Sequence, residues 1–522
     1  MKLTHPQPCR FAASLVLGLG LLAGCAVGPS YQRPPAVATM PGAYAGGTDG
    51  WKIAAPQAHV AKGPWWEIFG DPELNRLEAQ AAEANETLQA AVARFARARA
   101  AADVARSGLF PRLGAGFTAS RQGESANRPL SATGQAAGQS ATYNNFTLPF
   151  DLSYELDLWG RVRRQVESAR AEELADAADL EAVRLAVAAE VAADYFALRA
   201  LDAEKVALAA SIEADRKALE LTRNRRAGGL VSDLDVFQAE TVLKTAEAQM
   251  SASTLTRTKF EHALAALTGQ PAPLFSVAER PLGREPPVIP SELPSALLER
   301  RPDIAAAERR MAAANAGIGV AQAAFFPTVR FHGLAGFQSL DAGTLFDWPS
   351  RFWAVGPSLS LPVFEGGKRR ADLRGAEAGY AETVAHYRET VLTAFVEVED
   401  NLAAQRLLSS EHEQETAALQ SARKQLEIAS NRYRAGLVTY LEVATAQNVA
   451  VERERAVARL RGQQFVATVA LVKSLGGDWP ARGAVKASGS DPSHEDSRSQ
   501  EAPQPEASGS AGEFFAGQGG MR

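Results

Sequence analysis

One short stretch occurs twice in this chain. The first copy reads Asn224-Arg225-Arg226-Ala227-Gly228-Gly229-Leu230-Val231-Ser232-Asp233-Leu234-Asp235-Val236, and the second Asn431-Arg432-Tyr433-Arg434-Ala435-Gly436-Leu437-Val438-Thr439-Tyr440-Leu441-Glu442-Val443. In each, a long helical pattern runs in, and Gly229 or Gly436 stands where a left-handed C′ residue would end it. Ser232 or Thr439 follows as N-cap of a returning helix. Thr439-x-x-Glu442 has the form of a full capping box, and Ser232-x-x-Asp235 that of a shorter-armed one. A single copy would pass for an ordinary helix turn. Two copies in corresponding places predict a tandem duplication, with both bends at one end of one molecule.

The chain begins with a targeting pattern. Lys2 and Arg10 make a basic start, and the apolar stretch from Phe11 to Leu22 is too short to span a bilayer. It ends Leu22-Ala23-Gly24-Cys25, the small-residue run before a Cys that a lipoprotein signal peptidase cuts. Residues 1–24 read as the signal and Cys25 as the lipidated residue; an ordinary signal peptide with an incidental Cys has the same outline. Cys9 falls in the discarded part, so one mature chain can form no disulfide. Ala26, not Asp, follows the Cys, which in lipoproteins of this kind leaves no inner-membrane retention signal.

The net charge is −5 with 22% charged residues, and the basic residues are scattered among acids. That distribution excludes a nucleic-acid partner. After Cys25 no apolar run is long enough for a membrane helix, so insertion is left to β-strands or to lipid.

Residues 25–63 are Pro/Gly/Ala-rich and read as an extended linker laid over other structure. The first repeat, 64–271, opens with Trp65-Trp66-Glu67-Ile68-Phe69-Gly70-Asp71-Pro72, where Asp71 is an N-cap and Pro72 sits at N1. One helix is expected from there to Ser107. Two alternating stretches follow, Leu113 to Ala119 and Phe146 to Leu156, flanking a polar loop from Arg121 to Asn144. A helical pattern then runs from Arg161 to Arg226, with Leu180, Val183, Val187, Val191, Tyr195 and Leu198 on one stripe. Unbroken, it is roughly 100 Å long. The Pro-rich stretch 272–293 links to the second repeat, 294–480, where the order recurs. Alternating strands are expected at Val329 to Phe337 and Trp353 to Val363, and a helical stripe at Val384, Tyr387, Val391, Phe395, Val398 and Leu402. Residues 481–522 lack apolar periodicity and read as a disordered tail.

Period-2 alternation suits a membrane strand, although a soluble half-buried hairpin gives it too. Four such strands cannot close a barrel, since the smallest membrane barrels have about eight. An open edge is not tolerated in lipid. If these strands cross a membrane, several chains must share one barrel, and a cyclic oligomer also gives the helical stripes partners.

The ordered set Cys25-Ala-Val-Gly-Pro-Ser-Tyr-Gln-Arg-Pro, Trp66…Phe69-x-Asp71-Pro72-x-Leu74, Arg301-Pro302-Asp303-Ile304, Phe-Pro before each strand pair and two Gly-containing bends resembles one family. It is that of the outer-membrane factors of tripartite bacterial efflux systems (TolC/OprM-like, NodT lipoprotein subgroup). The resemblance implies an α+β membrane protein. Its duplicated helical hairpins would form a periplasmic α-barrel, and its four strands would join a trimeric twelve-stranded β-barrel in the outer membrane of a Gram-negative bacterium. It further implies a homotrimer, a periplasmic adaptor and an inner-membrane RND pump as partners, and a passive exit for drugs or metal ions. The exit duct of a type I protein-secretion system is the runner-up within that fold. A pore-free periplasmic coiled-coil scaffold is the alternative outside it, and it has no use for the strands.

On that resemblance the bends face the adaptor, through Gly228, Gly229, Leu230, Val231 and Ser232 and through Gly436, Leu437, Val438 and Thr439. The charges Arg225, Arg226, Asp233, Asp235, Arg432, Arg434 and Glu442 would gate the tip by pairing across hairpins, or would be solvated helix-end charges. Relatives of this kind often carry an Asp after the second bend, where this chain has Ala444-Thr445-Ala446-Gln447, which puts an acidic ring there in doubt. No catalytic set is visible, and no cofactor is expected beyond the lipid. The histidines lack HxH or HExxH spacing, and Gly366-Gly367-Lys368 lacks the frame of a phosphate loop and reads as a turn.

Overall fold

A computed structural model describes residues 26–36, 63–125, 141–283, 285–287 and 301–477. Cys25, most of the first linker, the start of the second repeat and the tail lie outside the described residues.

The two halves repeat one order of elements, and their long helical hairpins match in length. Helix α1 (Pro72–Ala84) and α2 (Glu86–Ser107) lead to strands β1 (Arg112–Ala115), β2 (Thr118–Glu124) and β3 (Ala141–Leu156). Helices α3 (Arg161–Ala227) and α4 (Asp233–Leu267) form the first hairpin. The second half has α5 (Pro302–Ala323), β4 (Thr328–Ser339), β5 (Arg351–Ser360), α6 (Lys368–Arg434) and α7 (Tyr440–Ser474). The long helices α3 and α6 are each 67 residues and the returning α4 and α7 each 35. At 1.5 Å per residue the long ones reach about 100 Å.

One helix was expected over 72–107, and it is broken at Asn85. Asn85 is extended, its Oδ1 accepts from the Leu88 amide at 3.0 Å, and its Nδ2 donates to the Leu267 carbonyl at 2.9 Å. The Asn is thus both N-cap of α2 and a tie to the end of α4.

The strands form one antiparallel sheet, with β1 and β2 both on β3, then β4, then β5. β1 and β2 keep a single register, Ala115 opposite Phe150 and Thr118 opposite Thr147. They are one strand interrupted opposite Pro149, which has no N–H for the ladder, while Gly116 still donates to the Pro149 carbonyl at 3.0 Å. The hairpin also takes up both ends of the expected polar loop, since β2 runs to Glu124 and β3 begins at Ala141. The fourth strand is shorter than expected and ends at Ser360; Pro362 stands beyond it, and Val363 and Phe364 are exposed.

The register settles which residues share a face. Leu148 lies opposite Phe337, Phe150 opposite Ala335, Tyr154 opposite Phe331 and Leu156 opposite Val329. Ala335 lies opposite Trp353, Gly333 opposite Val355 and Val329 opposite Leu359. Leu113 lies opposite Leu152. Every alternating apolar position therefore falls on one continuous face, and several of its members, including Leu113, Trp353, Val355 and Leu359, are exposed. Apart from Leu334 and Phe352, the other face carries small or polar residues, with Gln338 donating to Asn145 at 3.0 Å.

The main core lies where the two repeats meet. Tyr195, Phe196 and Leu198 of α3 pack with Phe465, Val469 and Val472 of α7, under the Trp65–Phe69 turn. Phe196 stacks on Phe465 at 4.5 Å between centroids and meets Phe69 at 4.7 Å. The predicted α3 stripe is buried except for Val183, which is partly buried, and on α6 Tyr387, Val391 and Val398 are fully buried. No helix among the described residues is long and apolar enough to cross a membrane.

Residues 26–36 form an extended strap over this body. Val27 donates to the Trp159 carbonyl, Arg164 donates to the carbonyls of Val27 and Gly28, and Asn315 donates to that of Pro29. Arg33 reaches the Tyr387 hydroxyl at 2.9 Å and Glu308 at 3.6 Å. Gly28 is at φ +108°, and a Cβ there would come within 2.5 Å of the Gly319 backbone, so both conformation and space require glycine.

Candidate functional site at the paired bends

Both bends close in the same way. Leu230 donates to the Arg225 carbonyl and Gly229 to that of Arg226, each at 2.9 Å. Leu437 donates to Arg432 and Gly436 to Tyr433, each at 3.0 Å. These are paired Schellman bonds, with Gly229 at φ +73° and Gly436 at φ +77° as the left-handed C′ residues. Nothing lies within 4 Å of a Cβ at either glycine, so the backbone conformation alone selects them. Leu230 and Leu437 project from the turns and are exposed.

Ser232 and Thr439 are the N-caps, as the sequence indicates. The first capping box forms as the sequence indicates, and the second does not. In the first bend Asp235 accepts from the Ser232 amide at 3.1 Å and from its hydroxyl at 2.8 Å. In the second, Thr439 makes no side-chain cap bond, and the longer Glu442 side chain instead approaches Arg432 at 3.5 Å. The shorter acid thus returns to the backbone, while the longer one reaches past it to a cation.

The charges pair mostly within their own bends. Arg226 holds Asp233 through two bonds, at 2.6 and 3.0 Å, which lowers the Asp233 carboxyl below its ordinary range. Arg434 donates to Asn431 at 3.2 Å. Within the single chain, Asp235 and Glu442 make their contacts inside their own bends. Arg225 alone among the named charges bridges the two hairpins. It donates to the carbonyls of Tyr433 and Arg434, each at 3.1 Å, and its guanidinium sits 4.6 Å from the Tyr433 ring centroid.

Below the bends lies a second apolar core of Leu219, Ala239, Leu243, Tyr433, Tyr440 and Val443. Tyr433 and Tyr440 meet edge to face at 5.6 Å. Asp215 is buried beside this core, with the Ser211 hydroxyl donating to it at 3.2 Å. Burial pushes its carboxyl up to about 6, and the Ser211 bond offsets only part of that. Periodicity places Asp215 on α3 but gives no hint that it faces inward.

Sequence reasoning also left Arg301 and the inter-repeat linker without roles. Arg301 is buried and binds Asp303 at 2.6 Å, Glu397 at 2.6 Å and the Ser474 carbonyl at 3.1 Å, joining the start of α5 to α6 and to the end of α7. The linker is pinned by Asp202, which accepts from Arg199 and Arg257 and from the Arg280 amide. Among the described residues there is no His/Cys/Asp/Glu group able to hold a metal.

Known proteins resemble this chain in sequence and fold. The outer membrane efflux protein family matches residues 77–270 and 293–477. Outer membrane protein OprJ of Pseudomonas aeruginosa is 34% identical over 479 residues, covering 91% of this chain and 97% of OprJ. Toluene efflux pump outer membrane protein TtgF of Pseudomonas putida is 33% identical over 467 residues, covering 88% of this chain and 95% of TtgF. The solved outer-membrane channel OprN superposes with a TM-score of 0.76 at 31% identity, covering 87% of this chain and all of OprN. This chain belongs to the outer membrane efflux protein family and is an outer-membrane channel subunit of an efflux system.

Proposed function

We propose that three copies of this chain close a twelve-stranded barrel and a helical tunnel, and that the paired bends form the periplasmic mouth where an adaptor docks. The carrying observation is the sheet: four strands in continuous register, apolar on one face, with open edges at β1/β2 and β5. Such edges must be paired in lipid, and four strands are too few to pair them within one chain. Exposed Leu392, Val396, Leu407 and Ile428 on α6 support a further helical neighbour along the tunnel.

The inner-membrane partner is an RND-type pump joined through the adaptor, and the cargo is small and organic, in keeping with the toluene pump named for one relative. Lipidation of Cys25 is supported by the small-residue run Leu22-Ala23-Gly24 before it.

The test combines light-scattering mass in detergent with photo-crosslinkers at Leu230 and Leu437, in cells expressing the adaptor and pump. A trimer with adaptor crosslinks from both bends, and none from Leu255 on the flank of α4, is expected. A monomer, or crosslinks from Leu255 alone, refutes it.

A further inference from the structure

We propose that a cavity between the Trp65–Phe69 turn, α1 and α3 binds a lipophilic organic cation, with Glu78 as its counter-ion. The cavity, about 340 Å³, is lined chiefly by Trp65, Trp66, Glu78, Leu88, Leu185 and Val187. That volume falls in the range of small-ligand pockets, and the lining is mostly apolar with few polar groups, as in such pockets.

Glu78 is the unusual member. It is 2% exposed, and its Oε1 has no hydrogen-bond partner among the described residues. Buried carboxyls are ordinarily paired, because an unmatched one destabilises the fold. Beside it stand two indoles at 77° with centroids 5.8 Å apart. Crossed aromatic faces with a carboxylate form the environment that attracts quaternary and lipophilic ammonium groups. The other charged groups facing the cavity are Arg184, from α3, and Glu181, one turn before it, and these two pair with each other. The local charge is therefore left to Glu78.

This site lies in the helical body and does not depend on how the bends gate. It has a proton signature. Burial pushes the Glu78 carboxyl up to about 9, so near neutrality it carries a proton that a permanently charged ligand must displace. Affinity for such a ligand then rises about tenfold with each unit of pH increase up to about 9.

The test is calorimetric titration of the full chain in detergent with benzyltrimethylammonium at pH 6, 7 and 8, and with its neutral carbon isostere neopentylbenzene. The expected result is binding that tightens about tenfold per unit as pH rises from 6 to 8, with one proton released, and weaker pH-independent binding of the isostere. Glu78→Gln should abolish the pH dependence and the preference for the cation. Ala82→Trp, which narrows the cavity but keeps the acid, should remove binding of both. The proposal is overturned by any of four results: no binding of the cation, a pH-independent affinity, equal affinity for the isostere, or unchanged binding in Ala82→Trp. The comparisons on the natural chain decide it even if Glu78→Gln fails to fold.

Discussion

The guanidinium of Arg225 lies over the ring of Tyr433 at 4.6 Å and donates to that residue's carbonyl at 3.1 Å, fastening the first bend to the end of the second long helix. The remaining charged contacts at the tip stay inside one bend. If relative movement of the hairpins opens the mouth, this contact resists it. Arg225→Ala should raise single-channel conductance in a planar bilayer, and Arg226→Ala should not. Each lost hydrogen bond or cation–π contact corresponds to about 1 kcal/mol. Equal conductance for natural chain and Arg225→Ala would assign closure to other residues.

The bend glycines answer to conformation alone, with free space around both. Gly229→Val and Gly436→Val should each destabilise the bend by about 1–2 kcal/mol, while Asn at either place should be milder because it tolerates positive φ. Adaptor crosslinking yield at Leu230 or Leu437 reads the difference. Valine and asparagine giving the same yield would contradict a backbone origin.

The two faces of the sheet should differ sharply. Arg at Leu148 or Leu359, on the continuous apolar face, should cost about 2–4 kcal/mol per chain at mid-bilayer. Arg at Thr147 or Ser358, on the polar face, should be tolerated. The measurement is the fraction of protein reaching a heat-modifiable, outer-membrane-inserted form. Equal yields from both faces would count against membrane strands.

Asp215 predicts a pH dependence. Its carboxyl is raised above the ordinary value, so the folded hairpin binds the proton more tightly than the unfolded chain does. The tip is therefore most stable at low pH and loses stability as pH rises from about 4 to about 6, beyond which the loss is complete. Asp215→Asn should stabilise the tip at pH 7.5 and flatten this dependence. Amide exchange in the bends at pH 5 and 7.5 would show it. An unchanged exchange ratio in the variant would place the pH sensitivity elsewhere.

Cys25→Ser should abolish acyl labelling and leave precursor uncut at that site, yet retain efflux, because the strands can anchor the protein without lipid. Normal acylation of the Ser variant would remove Cys25 from this role.

Much of the architecture is determined by the sequence alone, because its signals are local and periodic. A repeated glycine followed by Ser or Thr specifies two bends, since only glycine takes the left-handed position cheaply and a hydroxyl caps the next turn. Period-2 apolar runs specify strands and their apolar face, and unbroken 3.6-residue patterns specify the long helices. What the tertiary structure decided are matters of partner and reach. Pro149 divides its neighbour because the missing N–H belongs to a ladder formed across strands. Asn85 breaks a helix because Leu267, far along the chain, accepts its side chain. Asp235 folds back on Ser232 while Glu442 reaches Arg432, a choice set by one methylene and by what lies within range. Glu78 and Asp215 carry no mark in their sequence neighbourhoods, and the motif that holds Arg301 gives no sign of its burial or of its partners Glu397 and Ser474. Burial and charge pairing depend on which distant helices pack over a residue, and composition along the chain does not encode that.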